Sequence, residues 1–202
     1  MSYLVKSNWY EYKGKHWAVN PSRSGLRVDV LRKILAQLDD ISNRHRKVFI
    51  FRFDLSVNEY TPTNELITKL IKSVSGRIRS HYGCGLVYTW VREQERAKKQ
   101  HYHVVFMLNG SKVNNPHMIK EWLRMIWERY GRCSWVRYYH SERDDQVITG
   151  DVSYHISYLA KGRGKGYRPE QTKDYGGSRV SVASKQKSPI ANELMYGLSF
   201  LK

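Results

Sequence analysis

Leu86-Val87-Tyr88-Thr89-Trp90-Val91 and His101-Tyr102-His103-Val104-Val105-Phe106-Met107-Leu108 are two β-branched and aromatic runs joined by a charged turn, Arg92 to Gln100. They read as a β-hairpin. Upstream, Val48-Phe49-Ile50-Phe51-Arg52-Phe53-Asp54-Leu55 is a third run of the same character and reads as a buried core strand. Between it and the hairpin, Leu66, Ile67, Leu70, Ile71, Val74 and Ile78 recur at helical spacing after a cap at Thr63 or Asn64, and Tyr82-Gly83-Cys84-Gly85 ends the helix.

The same reading extends outward. Leu26, Val28, Val30, Leu31, Ile34, Leu35 and Leu38 predict an amphipathic helix up to about Ser42, preceded by 23 polar and aromatic residues without clear period. Pro116 opens a helix through Ile119, Trp122, Leu123, Ile126 and Trp127 that closes near Gly131, with a strand from Ser134 to His140 beyond it. A last helix is expected over about Asp151 to Ala160, stopped by Gly162 and Gly164. Residues 161–188 carry eight Lys and Arg against Glu170 and Asp174, with five glycines, and predict a mobile basic arm. The order helix, β, α, β-hairpin, α, β, α predicts an α+β fold with a central, mainly antiparallel sheet and flanking helices. The expected division is a domain over 1–165 and a basic arm or subdomain over 166–202 packed on it.

Composition restricts the function classes. Thirty-five Lys and Arg against 18 Asp and Glu leave 202 residues with a net charge of +17, which points to a polyanionic partner, nucleic acid first. Hydrophobic residues at 41% provide a core, so wholesale disorder is excluded. Two cysteines, Cys84 and Cys133, are too few for a zinc ribbon or a disulfide framework and fit a reducing compartment. No run approaches a membrane span and the first residues lack a signal-peptide pattern, so a cytoplasmic protein without membrane contact is expected. Neither GxxxxGK[ST] nor GxGxxG occurs, so any phosphoryl transfer must draw on an energy source other than a cradled nucleotide.

His101 and His103 flank one residue of a strand, and period-2 geometry puts both imidazoles on one face, where they can share a cation. Eight histidines give about 0.3 His-x-His by chance, so the pair alone decides little. Glu93, across the hairpin, completes a His₂–carboxylate set suited to Mn²⁺ or Mg²⁺, and Asp54 on the adjacent core strand is placed to orient a histidine. Gln94 and Gln100 are substitute ligands. Tyr154 and Tyr158, four apart in a helix, put two phenols on one face with Lys161 beside them. About one such tyrosine spacing is expected by chance. Context therefore decides.

The order of these parts, Phe-Arg-Phe-Asp-Leu at 51–55, then Gln100-His101-Tyr102-His103-Val104-Val105-Phe106, then Tyr154-His155-Ile156-Ser157-Tyr158-Leu159-Ala160-Lys161, resembles the three motifs of the HUH superfamily of rolling-circle replication initiators. Within it the chain looks most like the filamentous-phage (inovirus) initiators and their prophage relatives, which share the Arg-x-Asp-Leu strand, a Trp-x-Arg-Glu strand end (Trp90 to Glu93) and Tyr-Leu-Ala-Lys after a helix. The similarity covers about residues 24 to 165. It implies a sheet carrying the histidine pair with the tyrosine helix beside it, and an enzyme that nicks one strand of a supercoiled origin and keeps the 5′ phosphate on tyrosine. Tyr158 is the favoured nucleophile and Tyr154 the second.

A phenol with its ordinary pKa of about 10 needs help in losing its proton, and Lys161 is placed to give it. Arg52, Arg92, Arg96, Lys98, Lys99, Arg163 and Lys165 are the candidate contacts to single-stranded or supercoiled origin DNA. With no helicase segment, unwinding and synthesis would fall to a host helicase and polymerase. The alternatives are an HUH transposase, a mobilisation relaxase, or a non-catalytic prophage DNA-binding protein.

Overall fold

The computed structural model describes residues 3–21, 23–94, 99–143, 145–164 and 169–180. Arg96, Lys98 and Lys165, and most of the expected C-terminal arm, lie outside them.

The helical periodicity that starts at Leu26 becomes helix only at α1, Val28–Arg44; Leu26 and Arg27 instead form β4, paired with β1 (Leu4–Val5). Upstream, β2 (Trp9–Tyr12) and β3 (Lys15–Ala18) make a hairpin whose two-residue turn, Lys13-Gly14, has positive φ at both positions. That geometry matches strand twist, which is why a Lys-Gly pair serves there. The rest of the chain runs β5 (Lys47–Val57), α2 (Glu65–Tyr82), β6 (Val87–Glu93), β7 (His101–Asn109), α3 (His117–Trp127), β8 (Gly131–Glu142), α4 (Gln146–Ser157), one 3₁₀ turn (Tyr158–Ala160) and β9 (Tyr175–Gly177).

Strands β5 to β9 form one five-stranded sheet in the order β8-β5-β7-β6-β9, with every neighbour antiparallel. The fold is α+β. Because side chains alternate across a sheet, the apolar run of β5 divides into two sets. Val48 and Ile50 join Val91, Val105 and Met107 against α1 (Leu31, Ile34, Leu35, Leu38) and α4 (Val152, Ile156). Phe49, Phe51 and Phe53 join Val104 and Phe106 against α2 (Ile67, Leu70, Val74) and α3 (Ile119, Leu123, Trp127). Helices thus cover both faces of the central strands, and each fully buried Leu, Ile or Phe contributes about 1.5–3 kcal/mol.

Within the segment expected to be a mobile basic arm, β9 closes the sheet edge beside β6. Asp174, buried, pairs with Arg27 at 2.9 Å, and Lys33 and Gln37 of α1 donate to the Ser178 carbonyl at 3.2 and 2.8 Å. Gly176 and Gly177 allow this fit, since a Cβ on either would fall 2.5 Å from Trp90 Cζ2 or the Tyr88 carbonyl oxygen. Two of the glycines that suggested mobility, Gly176 and Gly177, serve close packing. Among the described residues, no helix is long and apolar enough to cross a membrane.

Candidate metal centre

The pleat of β7 puts His101 and His103 on the sheet face that carries α1 and α4. Strand register does the rest: His101 lies opposite Glu93 on β6, and His103 opposite Asp54 on β5. Strand β6 runs on to Glu93, so Arg92 and Glu93 are strand residues rather than part of a charged turn. Glu93 Oε2 is 3.3 Å from His103 Nε2 and 3.6 Å from His101 Nε2, and one donor atom from each residue lies within 4.8 Å of the others. Cis ligands about 2.1–2.2 Å from one ion sit ~3 Å apart, so a small contraction would close this set on a dication.

Burial argues that the set is made for a ligand. Glu93 is 3% and His103 5% exposed, yet His103 Nε2 has no hydrogen-bond partner. His103 Nε2 and Glu93 Oε2 face each other at 3.3 Å, the arrangement from which a neutral imidazole and a carboxylate could share a cation. On the other side of the ring, His103 Nδ1 is 2.7 Å from Asp54 Oδ1. Donation from Nδ1–H fixes the ring's orientation and leaves Nε2 as the metal-facing atom. Burial disfavours the imidazolium, but Asp54 and Glu93 outweigh it and hold the His103 pKa above its ordinary value.

Lys161 connects this group to a tyrosine. Its Nζ is 3.2 Å from Glu93 Oε2 and donates to the Tyr158 hydroxyl at 2.7 Å. The chain then turns through Gly164, at φ +77°, where a Cβ would lie 3.3 Å from Glu93 Oε2, and the Gly164 carbonyl accepts from the Gln94 amide at 2.8 Å. Tyr158 is held on several sides. Lys161 Nζ is 4.2 Å and Arg52 Cζ 4.6 Å from its ring centre, and the His103 ring meets it edge-on at 5.8 Å.

Helix α4 reaches this position because Ser153 Oγ donates to the Ala18 carbonyl at 2.8 Å and Ser157 Oγ accepts from the Asn20 amide at 2.9 Å. These bonds tie α4 to the chain leaving the N-terminal hairpin. The α-helix ends at Ser157, and Tyr158 begins the 3₁₀ turn that follows. Tyr154 is 39% exposed, and its ring packs against His155. Of the two expected phenols, Tyr158 is the one that receives the Lys161 hydrogen bond.

Two expected DNA contacts are interior residues. Arg52, 9% exposed, donates to the His155 carbonyl at 3.0 Å while stacking on Tyr158, and burial draws its guanidinium below the ordinary value. Arg92, 2% exposed, donates to the carbonyls of Thr61 and Thr63 at 2.6 and 3.1 Å and to Gln100 Oε1 at 3.2 Å. Gln100, weighed as a substitute ligand, is committed to that network and to the Tyr102 hydroxyl at 2.8 Å, across the sheet from the histidines. Gln94, the other substitute, has a buried Oε1 without a hydrogen-bond partner. Lys99 and Arg163 are exposed. Sequence reasoning missed Arg52 as the partner of Tyr158, although a lone cation inside Phe51-Arg52-Phe53 was the available signal.

A profile of the family described as YagK/YfjJ C-terminal domain matches residues 11–178. No curated protein and no solved structure matches the chain. The matched stretch runs from within β2 through β9 and includes Asp54, Glu93, both histidines, Tyr158 and Lys161. The whole arrangement lies within one shared domain, and the chain belongs to the YagK/YfjJ C-terminal domain family.

Proposed function

We propose that the protein is a metal-dependent nickase and strand transferase of single-stranded DNA that starts rolling-circle replication, with Tyr158 as nucleophile. The observation that carries the reading is the position of Lys161 Nζ, between Glu93 Oε2 at 3.2 Å and the Tyr158 hydroxyl at 2.7 Å. This joins a carboxylate–imidazole group to a phenol oxygen by one cation. The motif order shared with HUH initiators supports the same reading, including the finer likeness to filamentous-phage and prophage initiators.

Glu93, His101 and His103 would hold Mn²⁺ or Mg²⁺, which supplies charge to stabilise the scissile phosphate when bound. Lys161 stabilises negative charge as it develops on the Tyr158 oxygen. Arg52, stacked on the ring and anchored on the His155 carbonyl, keeps the phenol aimed along the sheet face. The Tyr158 oxygen bonds to phosphorus as the bond to the 3′ oxygen breaks; the phenol gives up its proton, and the leaving oxygen takes one to become a free 3′-hydroxyl. A phosphodiester is exchanged for a phosphotyrosine of similar energy, so the reaction is reversible and needs no nucleotide. The 3′-hydroxyl primes a host polymerase behind a host helicase in the bacterial cytoplasm, and Tyr154 serves a second strand transfer.

The test is incubation of the full chain with candidate origin oligonucleotides and with Mn²⁺, Mg²⁺ or EDTA. The expected result is metal-dependent cleavage that leaves a free 3′ end and a blocked 5′ end, lost in Glu93→Gln. Binding without metal-dependent cleavage would support the non-catalytic DNA-binding alternative, and cleavage of transposon ends or transfer origins alone would reassign the substrate.

A further inference from the structure

Strand β8 is an edge of the sheet, with no strand beyond it among the described residues. Its register against β5 shifts between Arg52 and Phe53, which leaves Val136 as an extra residue, 45% exposed. Three positions apart, Trp135 and Tyr138 would face opposite sides of a regular strand; the bulge turns them to the same side. Trp135 lies against Phe51 and Phe53 at 5.9 and 6.3 Å between ring centres. Tyr138 and His140 lie against Phe49 at 5.8 and 5.4 Å and 5.9 Å from each other. Three rings thus form a row on a phenylalanine floor, with Tyr138 46% exposed and His140 also exposed.

A cation borders the row: Lys120 Nζ is 5.7 Å from the Trp135 ring centre. The exposed Arg132 and Arg137 lie across the β8 edge, on the side of the candidate metal site. Residues 131–141 contain no acid. Self-pairing of this edge would bring two sets of arginines together, whereas a polyanion would neutralise them. Ser134 lies opposite Asp54, so the edge leads directly to the metal centre.

We propose that the β8 edge is a second binding surface for single-stranded DNA, with unpaired bases on Trp135, Tyr138 and His140 and phosphates against Arg132 and Arg137. The choice of DNA as ligand rests on the nickase reading. Every base has a stackable face, so the row is tolerant of sequence, and a strand that crosses the β8 edge from it meets Arg132 and Arg137 on the metal-site face.

The test is fluorescence anisotropy of dye-labelled dT₂₀ with the full chain in EDTA, where no cleavage chemistry is needed. Tyr138→Ala is expected to weaken binding about 5–100-fold, with Tyr138→Phe restoring it, and Arg137→Ala to reduce the salt slope by about one. A 20-base-pair duplex should show little response to Tyr138→Ala. Binding of dT₂₀ by Tyr138→Ala within twofold of the parent would overturn the proposal. So would light scattering that shows a parent dimer and a Tyr138→Ala monomer, since the face would then be an interface between copies. Failure of the nickase reading would appear separately, as absent metal-dependent cleavage despite Tyr138-dependent binding.

Discussion

Asp54→Asn changes one atom at the site and tests whether the centre is built for metal. Asp54 Oδ1 is 2.7 Å from His103 Nδ1, and its side chain is 27% exposed, so the substitution leaves the core untouched. A hydrogen bond to a charged group contributes about 1.5–3 kcal/mol, and loss of a carboxylate behind a ligating histidine typically weakens metal binding about 10–100-fold. At about 1.4 kcal/mol per tenfold the two ranges agree. Asn retains an acceptor for Nδ1–H but not the charge, so its Mn²⁺ dissociation constant should rise about tenfold; Asp54→Ala, which frees the ring to rotate, should reach about 100-fold. Calorimetric titration of the full chain with Mn²⁺ measures both, with thermal unfolding in EDTA as the control for folding. Binding by both variants within twofold of the parent would refute the reasoning, because His103 Nε2 would then not need Asp54 to face the ion.

Trp127→Ala removes a fully buried indole whose Nε1 donates to the Ser56 carbonyl at 2.8 Å, and urea denaturation should show a loss of about 3–5 kcal/mol. Gly176→Ala places a Cβ 2.5 Å from Trp90 Cζ2; overpacking should cost about 1–3 kcal/mol and speed hydrogen exchange at the Arg92 amide, which donates to the Asp174 carbonyl at 2.7 Å. Burial pushes the Cys133 thiol up to about 11. Little thiolate exists there at pH 8, so a disulfide reagent should label Cys133 far more slowly than a free thiol and accelerate as the pH rises toward that value.

The sheet and most of the candidate metal site were legible because strand geometry is a local rule. A one-residue gap fixes His101 and His103 to one face, and a hairpin closing between Glu93 and His101 sets them opposite each other. Asp54 followed from the adjacent strand. What escaped depends on tertiary contacts: nothing local says that Arg92 turns inward to the Thr61 carbonyl, or that Arg52 lies beneath Tyr158. The four-residue tyrosine spacing assumed an α-helix through Ala160, but α4 ends at Ser157 and a 3₁₀ turn carries Tyr158 to Ala160. Trp9 to Ala18 alternates too weakly in polarity to announce a hairpin, though Lys13-Gly14 marks its turn. Two of the three residues of β9 are glycines, which disfavour strands; its place comes from the space that Trp90 and Tyr88 leave beside β6.

Mass-spectrometric mapping of the peptide that retains a nucleotide after reaction with single-stranded origin DNA and Mn²⁺ tests the central claim most directly. A phosphodeoxynucleotide on Tyr158, absent in Tyr158→Phe and in Glu93→Gln, is the predicted result. A full yield of adduct from Tyr158→Phe, or origin cleavage by the parent without any protein-bound nucleotide, would contradict it.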